Sequence, residues 1–181
     1  MKKTYFLLIL SFIACLFNNQ AKATEGFADG PLIKGFGKHV KVQQTQPVSE
    51  DAVFKVVFDV SKQADEGRLN RSFGSLARFL NMHVANGVKP ENIHLALVVH
   101  GKAGFDLLNE KAYQDKFKQS NINIALLNEL SQNNTQIFIC GQSAAYYDIK
   151  PEDLNEHVFM SLSAMTANAL LQQQGYTLNP F

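Results

Sequence analysis

The run Ile93-His94-Leu95-Ala96-Leu97-Val98-Val99 is apolar at every position but one, with no alternation. A strand with one wet face alternates polar and apolar residues. A parallel strand covered on both faces reads instead as a continuous apolar run. The stretch therefore predicts a central strand of a parallel sheet, and three others resemble it: Val53 to Val60, Gln136 to Cys140, and His157 to Leu162. Between the first two, Leu69, Phe73, Leu76, Ala77, Leu80 and Val84 recur at helical spacing, with Asn70 as a cap and Gly87 as a stop. Helical segments are also expected over 104–118 and 122–132, in a short turn from Gly141 to Ala145, and from a Ser163 cap to about Gln174. Pro151 to Asn155 reads as a turn. Strands alternating with helices define an α/β fold with a doubly wound, mostly parallel sheet. Right-handed crossovers then bring every strand's carboxyl end to one edge.

Working toward the N-terminus, residues 24–50 contain Gly26, Gly30, Pro31, Gly35, Gly37 and Pro47 without periodicity. They read as an arm draped over the domain or over a neighbouring subunit. Gly35-Phe36-Gly37 has the composition of part of a phosphate loop but lacks the preceding strand and following helix. Before the arm, Met1-Lys2-Lys3, an apolar run from Tyr5 to Phe17, and Ala21-Lys22-Ala23 follow the order of a secretory signal peptide cleaved after Ala23. The run is shorter than the roughly 20 residues that span a bilayer. Export to the periplasm is the expectation, with residues 1–23 removed, 24–50 as the arm, 51–181 as the domain, and no membrane attachment afterwards. Lipidation at Cys15 is the disfavoured alternative, because Phe12 is a poor recognition residue and Leu16-Phe17 continue the apolar run.

Cleavage removes three lysines, leaving 14 basic against 16 acidic residues, a net charge of −2. No electrostatic footprint for nucleic acid is present. Cleavage also removes Cys15, so Cys140 is the one cysteine of the mature chain and has no intramolecular partner. In an oxidising compartment such a cysteine forms an intermolecular bridge, reacts, or is buried.

Ligands of open parallel sheets bind beyond the carboxyl ends of the strands. Four segments fall there: Asp59-Val60-Ser61, His100-Gly101-Lys102, Cys140-Gly141-Gln142-Ser143 and Ser161-Leu162-Ser163. Cys140 precedes a helix whose amides and dipole favour a thiolate, and Gly141 permits a tight turn. The alternative is an inert cysteine finishing an apolar strand. His100 is a candidate proton shuttle or thiolate partner, or else a histidine bound to loop backbone. Asp59 orients a ligand or caps a helix, and Lys102 supplies charge or is merely solvated. Gly101, Gln142 and Ser163 complete the ligand-binding candidates with Gly141 and Ser143. No ligand spacing supports a metal site at Asp59, His100 and Cys140. His83 and Met82 read as packing or surface residues.

From Cys140-Gly141-Gln142-Ser143-Ala144-Ala145 outward, the sequence resembles the DsrE/DsrF/TusD-like sulfur-relay family. The resemblance runs from Phe54 to Phe181 and includes Phe54–Val60, Val98-Val99-His100-Gly101, and Leu162-Ser163-Ala164-Met165 through Gly175-Tyr176. It is nearest the exported branch. It implies a three-layer, flavodoxin-like sheet with helices on both faces, assembled as a homotrimer or homohexamer. It also implies that Cys140 carries a persulfide received from a sulfur donor protein or passed to an acceptor, with no cofactor. Many family members follow the cysteine loop with two arginines and a glycine; this chain has Tyr146-Tyr147-Asp148. Two other functions compete with sulfur transfer: a non-catalytic module binding a small ligand or metal, and an assembly protein glued by the arm.

Overall fold

The computed structural model describes residues 26–179, so the expected signal segment and Cys15 lie outside the described residues. Five strands, β1 (Phe54–Val60), β2 (Ile93–Val99), β3 (Thr135–Cys140), β4 (Val158–Ser161) and β5 (Thr177–Asn179), form a single sheet in the order β4-β3-β2-β1-β5. Every pairing is parallel. The chain steps one strand at a time from β1 to β4, then returns across the whole sheet to β5. Right-handed crossovers in one direction stack their helices on one face, and the reverse crossover must lie on the other. Hence α1 (Arg71–Val84), α2 (Glu110–Phe117), α3 (Ile124–Gln132) and α4 (Gly141–Tyr146) share the first face, and α5 (Ala164–Gln173) alone covers the second.

The alternation of side chains along each strand feeds two cores. Val56, Phe58, Leu95, Leu97, Ile137 and Ile139 meet Phe73, Leu76 and Leu80 of α1 and Leu126, Leu127 and Leu130 of α3. On the second face, Val57, Ala96, Val98 and Cys140 meet Ala164, Ala167 and Leu171 of α5. The doubly wound parallel sheet expected from the strand pattern is present, with the three layers that the family resemblance implies. The periodicity of α1 is met with its Asn70 cap, whose side chain accepts from Ser72 N–H at 3.0 Å.

Two elements differ from expectation. The helix expected over 104–118 is a largely buried 3₁₀ stretch, Gly101–Leu107, followed by α2. The reason is Asn109, whose side chain accepts Ala112 N–H at 2.9 Å and starts a new helix there. A buried polar knot holds the 3₁₀ stretch: Asp106 Oδ2 accepts from Ala64 N–H at 2.8 Å and Asn70 Nδ2 at 2.7 Å. β5 was not expected, because three residues beside Gly175 (φ +88°) are too few to carry a pattern.

The arm lies on its own domain. Ile33 is fully buried, and Asn81 of α1 clasps the chain around it. Its Oδ1 accepts from Leu32 and Ile33 N–H at 3.2 and 2.8 Å, and its Nδ2 donates to the carbonyls of Ile33 and Phe36 at 2.8 and 3.0 Å. Gly37 (φ +61°) presses on α1, where a Cβ would stand 2.3 Å from Arg78 N. The Gly35-Phe36-Gly37 segment is thus packed against a helix and forms no phosphate loop. His83 packs between Phe54 and Phe79, its Nδ1 2.7 Å from the Phe79 carbonyl, and burial lowers its pKa.

Asn81→Ala strands buried arm amides and carbonyls, each costing about 1–3 kcal/mol. Urea unfolding should show a loss of about 3 kcal/mol, with faster proteolysis between residues 26 and 50.

Candidate functional site

The connections leaving β3 and β4 diverge: β3 runs into α4 on the first face, β4 into α5 on the second. Neighbouring strands whose connections leave on opposite faces open a cleft at the carboxyl edge, the usual ligand position of such sheets. Cys140 sits at that point, in register with Ser161 of β4. The two strand ends approach so closely that a Cβ on Gly141 would stand 2.5 Å from the Ser161 carbonyl oxygen and 3.2 Å from that of Leu162. Gly141 does not have a positive φ. Its glycine serves close approach rather than the tight turn expected from the sequence.

Cys140 is 6% exposed and occupies the N-cap position of α4. Burial pushes its thiol up, but four hydrogen bonds outweigh it. Ser143 donates both its N–H and its hydroxyl, Ala164 donates its N–H from the first turn of α5, and Gln142 adds its N–H. The net effect holds the thiol below its ordinary range, because each donor stabilises the anion. Ser143 Oγ accepts from Gly101 N–H at 2.9 Å, which leaves the hydroxyl proton for the sulfur. Gly101 adopts φ +57°, a conformation suited to glycine.

Pairing of β2 with β3 ends at Val99 and Ile139, so His100 and Cys140 are the next residues on the two strands. Adjacent strands are about 4.8 Å apart. Alternation sends both residues toward the α5 face, as it does Asp59 two residues beyond Val57. His100 Nε2 bonds Asp59 Oδ2 at 3.0 Å, on the β1 side and away from Cys140. Asp59 Oδ1 accepts from Asn168 Nδ2 of α5 at 2.8 Å. Asp59, His100 and Cys140 therefore share one edge and one face, and Asp59 contacts His100 rather than capping α1.

The other candidates have plain positions. Ser163 is buried and caps α5, accepting from Thr166 N–H at 3.0 Å. Gln142 Nε2 donates to the Leu162 carbonyl at 3.3 Å, and Lys102 is exposed. Among the described residues, no group of three His, Cys, Asp or Glu is placed to hold a metal ion. A hollow of about 560 Å³ lined by Phe105, Lys116 and Tyr147 includes none of the candidate residues. Two participants escaped the sequence reading: the Ala164 amide and Asn168. Neither carries a local signal, since each meets its partner only through the long return crossover.

The fold and site define a parallel α/β protein with a cysteine at a topological switch point. The DsrE/DsrF-like family model matches residues 55–180, and the chain belongs to that family. Membership points to sulfur relay in general. No curated protein matches the chain. Among solved structures, a protein of unknown function from Methanobacterium thermoautotrophicum, MTH1491, is similar at 16% identity and a TM-score of 0.52. The likeness covers 71% of this chain and 99% of that one. At this identity it speaks for the fold alone.

Ser143→Ala removes a charge-assisted hydrogen bond of about 1.5 kcal/mol. The Cys140 thiol should titrate higher, and alkylation by iodoacetamide at pH 7 should slow about tenfold, the rate being recovered as pH rises.

Proposed function

We propose that this protein is a periplasmic sulfur carrier in which Cys140 accepts and passes on a sulfane sulfur. The observation that supports it best is the convergence of donors from α4 and α5 on one sulfur atom. Such a cradle favours a sulfur anion and serves equally the thiolate and a persulfide anion. In the transfer, the Cys140 thiol gives its proton to His100 and its thiolate attacks the outer sulfur of a donor R–S–SH. A new S–S bond forms at Cys140 as the donor's S–S bond breaks. The leaving R–S⁻ takes the electron pair and then the proton from His100. Cys140–SH and R–S–SH become Cys140–S–SH and R–SH, with no net oxidation. Delivery to an acceptor thiol is the same exchange in reverse.

The signal-like segment supports export, and the test reads both features at once. Intact mass of the protein extracted from the periplasm and treated with polysulfide should correspond to a chain starting at Thr24 with one added sulfur. The addition should disappear in Cys140→Ser. A mature protein that takes up no sulfur would rule out the carrier reading and leave a ligand-binding module.

The protein acts as a homo-oligomer, a trimer or hexamer, in this reading. The face covered by α5 alone leaves Phe159, Leu162, Met165, Leu170 and Leu178 about half exposed or more. Exposed apolar side chains gathered on one face suit burial against a second copy of the chain. Phe159→Asp combined with Met165→Lys should reduce the mass found by light scattering to that of one chain, with the circular dichroism of the parent retained.

A further inference from the structure

We infer that Asn168 and Asp59 are positioning residues that hold His100 in a single tautomer, with Nδ1 as the nitrogen that exchanges protons at the Cys140 site. The inference rests on the sulfur-carrier reading for its chemistry and on geometry for its structure. The Asp59 carboxylate is an acceptor only, so the Nε2 of His100 at 3.0 Å carries the ring proton. In the neutral ring the lone pair is then on Nδ1. Asp59 itself is aimed by Asn168, whose Nδ2 lies 2.8 Å from its second oxygen. The orientation of that amide is unambiguous, because the reverse would set two oxygens against each other.

A second observation shows that this aim has a cost. The Oδ1 of Asn168 is shut from solvent and has no protein partner. An unpaired buried carbonyl is unfavourable, and the side chain is nevertheless held where its amide meets Asp59. Asn168 also lies one turn beyond Ala164 on α5, and the Ala164 N–H bonds the Cys140 sulfur. One helix thus fixes the sulfur by its first turn and the imidazole, through Asp59, by its second. The titratable groups around His100 are Asp59 on β1, Cys140 on β3 and Lys102 just beyond β2; α5 carries none.

The test compares the mature protein with Asn168→Ala, the isosteric non-donor Asn168→Asp, and Asp59→Asn. Nitrogen-15 NMR of the imidazoles, assigned with His100→Gln, reads the tautomer. The wild type should show His100 as Nε2–H alone, and the variants a mixture. Rates of sulfur uptake from polysulfide are divided by rates of Cys140 alkylation, which needs no proton for its leaving group. That ratio should fall about tenfold in the variants, a fraction of the typical worth of a general acid or base, and its dependence on pH between about 5 and 8 should change. A structural effect of docking α5 would slow both reactions together and leave the ratio and its pH dependence as they were. An unaltered ratio, or a wild-type His100 already mixed in tautomer, overturns the inference. A protein that takes up no sulfur refutes the carrier reading separately; the tautomer measurement then decides the positioning by itself.

Discussion

The contact on which the site depends is the close approach of two strand ends, where Gly141 leaves no room for a Cβ against the Ser161 carbonyl. A side chain there would press on backbone rather than on a movable group, so β4 would have to retreat. With β4 would go the Ser163 cap and the first turn of α5, and with that turn the Ala164 N–H that reaches the sulfur. The hydrogen bond of Ser161 Oγ to the Ile139 carbonyl, at 3.0 Å, ties the same two strands just behind the cysteine. A single absent methyl group thus separates an ordinary strand end from a site in which two helices converge.

The electrostatics of that site are made from dipoles rather than from charges. Burial alone would raise the Cys140 thiol, and an apolar strand end is where an inert cysteine is commonly found. Four donors reverse the balance here. Neutral donors stabilise an anion without the desolvation cost of burying a cation beside it. The donors also form a chain, from Gly101 N–H through the Ser143 hydroxyl to the sulfur, so the loop after β2 takes part without contacting the sulfur itself. Tyr146-Tyr147-Asp148 in place of a basic stretch is compatible with this arrangement, because the anion is already served by fixed amides.

The topology divides the molecule's labour between two faces. The first carries four helices, the arm clasped by Asn81 and the larger core, and it contains most of the apolar burial. The second has one helix, a smaller core and the exposed apolar side chains. Cys140, His100 and Asp59 all point to this thinner side, so the candidate site shares the face that leaves apolar side chains exposed. The crossover that leaves the face half covered is the same one that carries Asn168 to Asp59.

Residue order alone establishes the α/β class, four of the five strands, the α1 cap at Asn70 and the gathering of Asp59, His100 and Cys140 at one edge. Those features are periodic or local: unbroken apolar runs mark covered strands, and the chain order with right-handed crossovers places their ends. It also singled out Cys140, since one cysteine remains after a signal-like segment. The folded chain is needed to see which partner His100 takes, what Gly141 is for, that Ala164 and Asn168 belong to the site, and that the arm is anchored through Ile33. Each of these is a contact between segments dozens of residues apart, more than one hundred for Asn168 and Asp59. β5 escaped the sequence for a related reason: three residues acquire strand character by pairing with β1 and have too little pattern to announce it. Periodicity reports which face of an element is buried; it carries no record of what lies against that face.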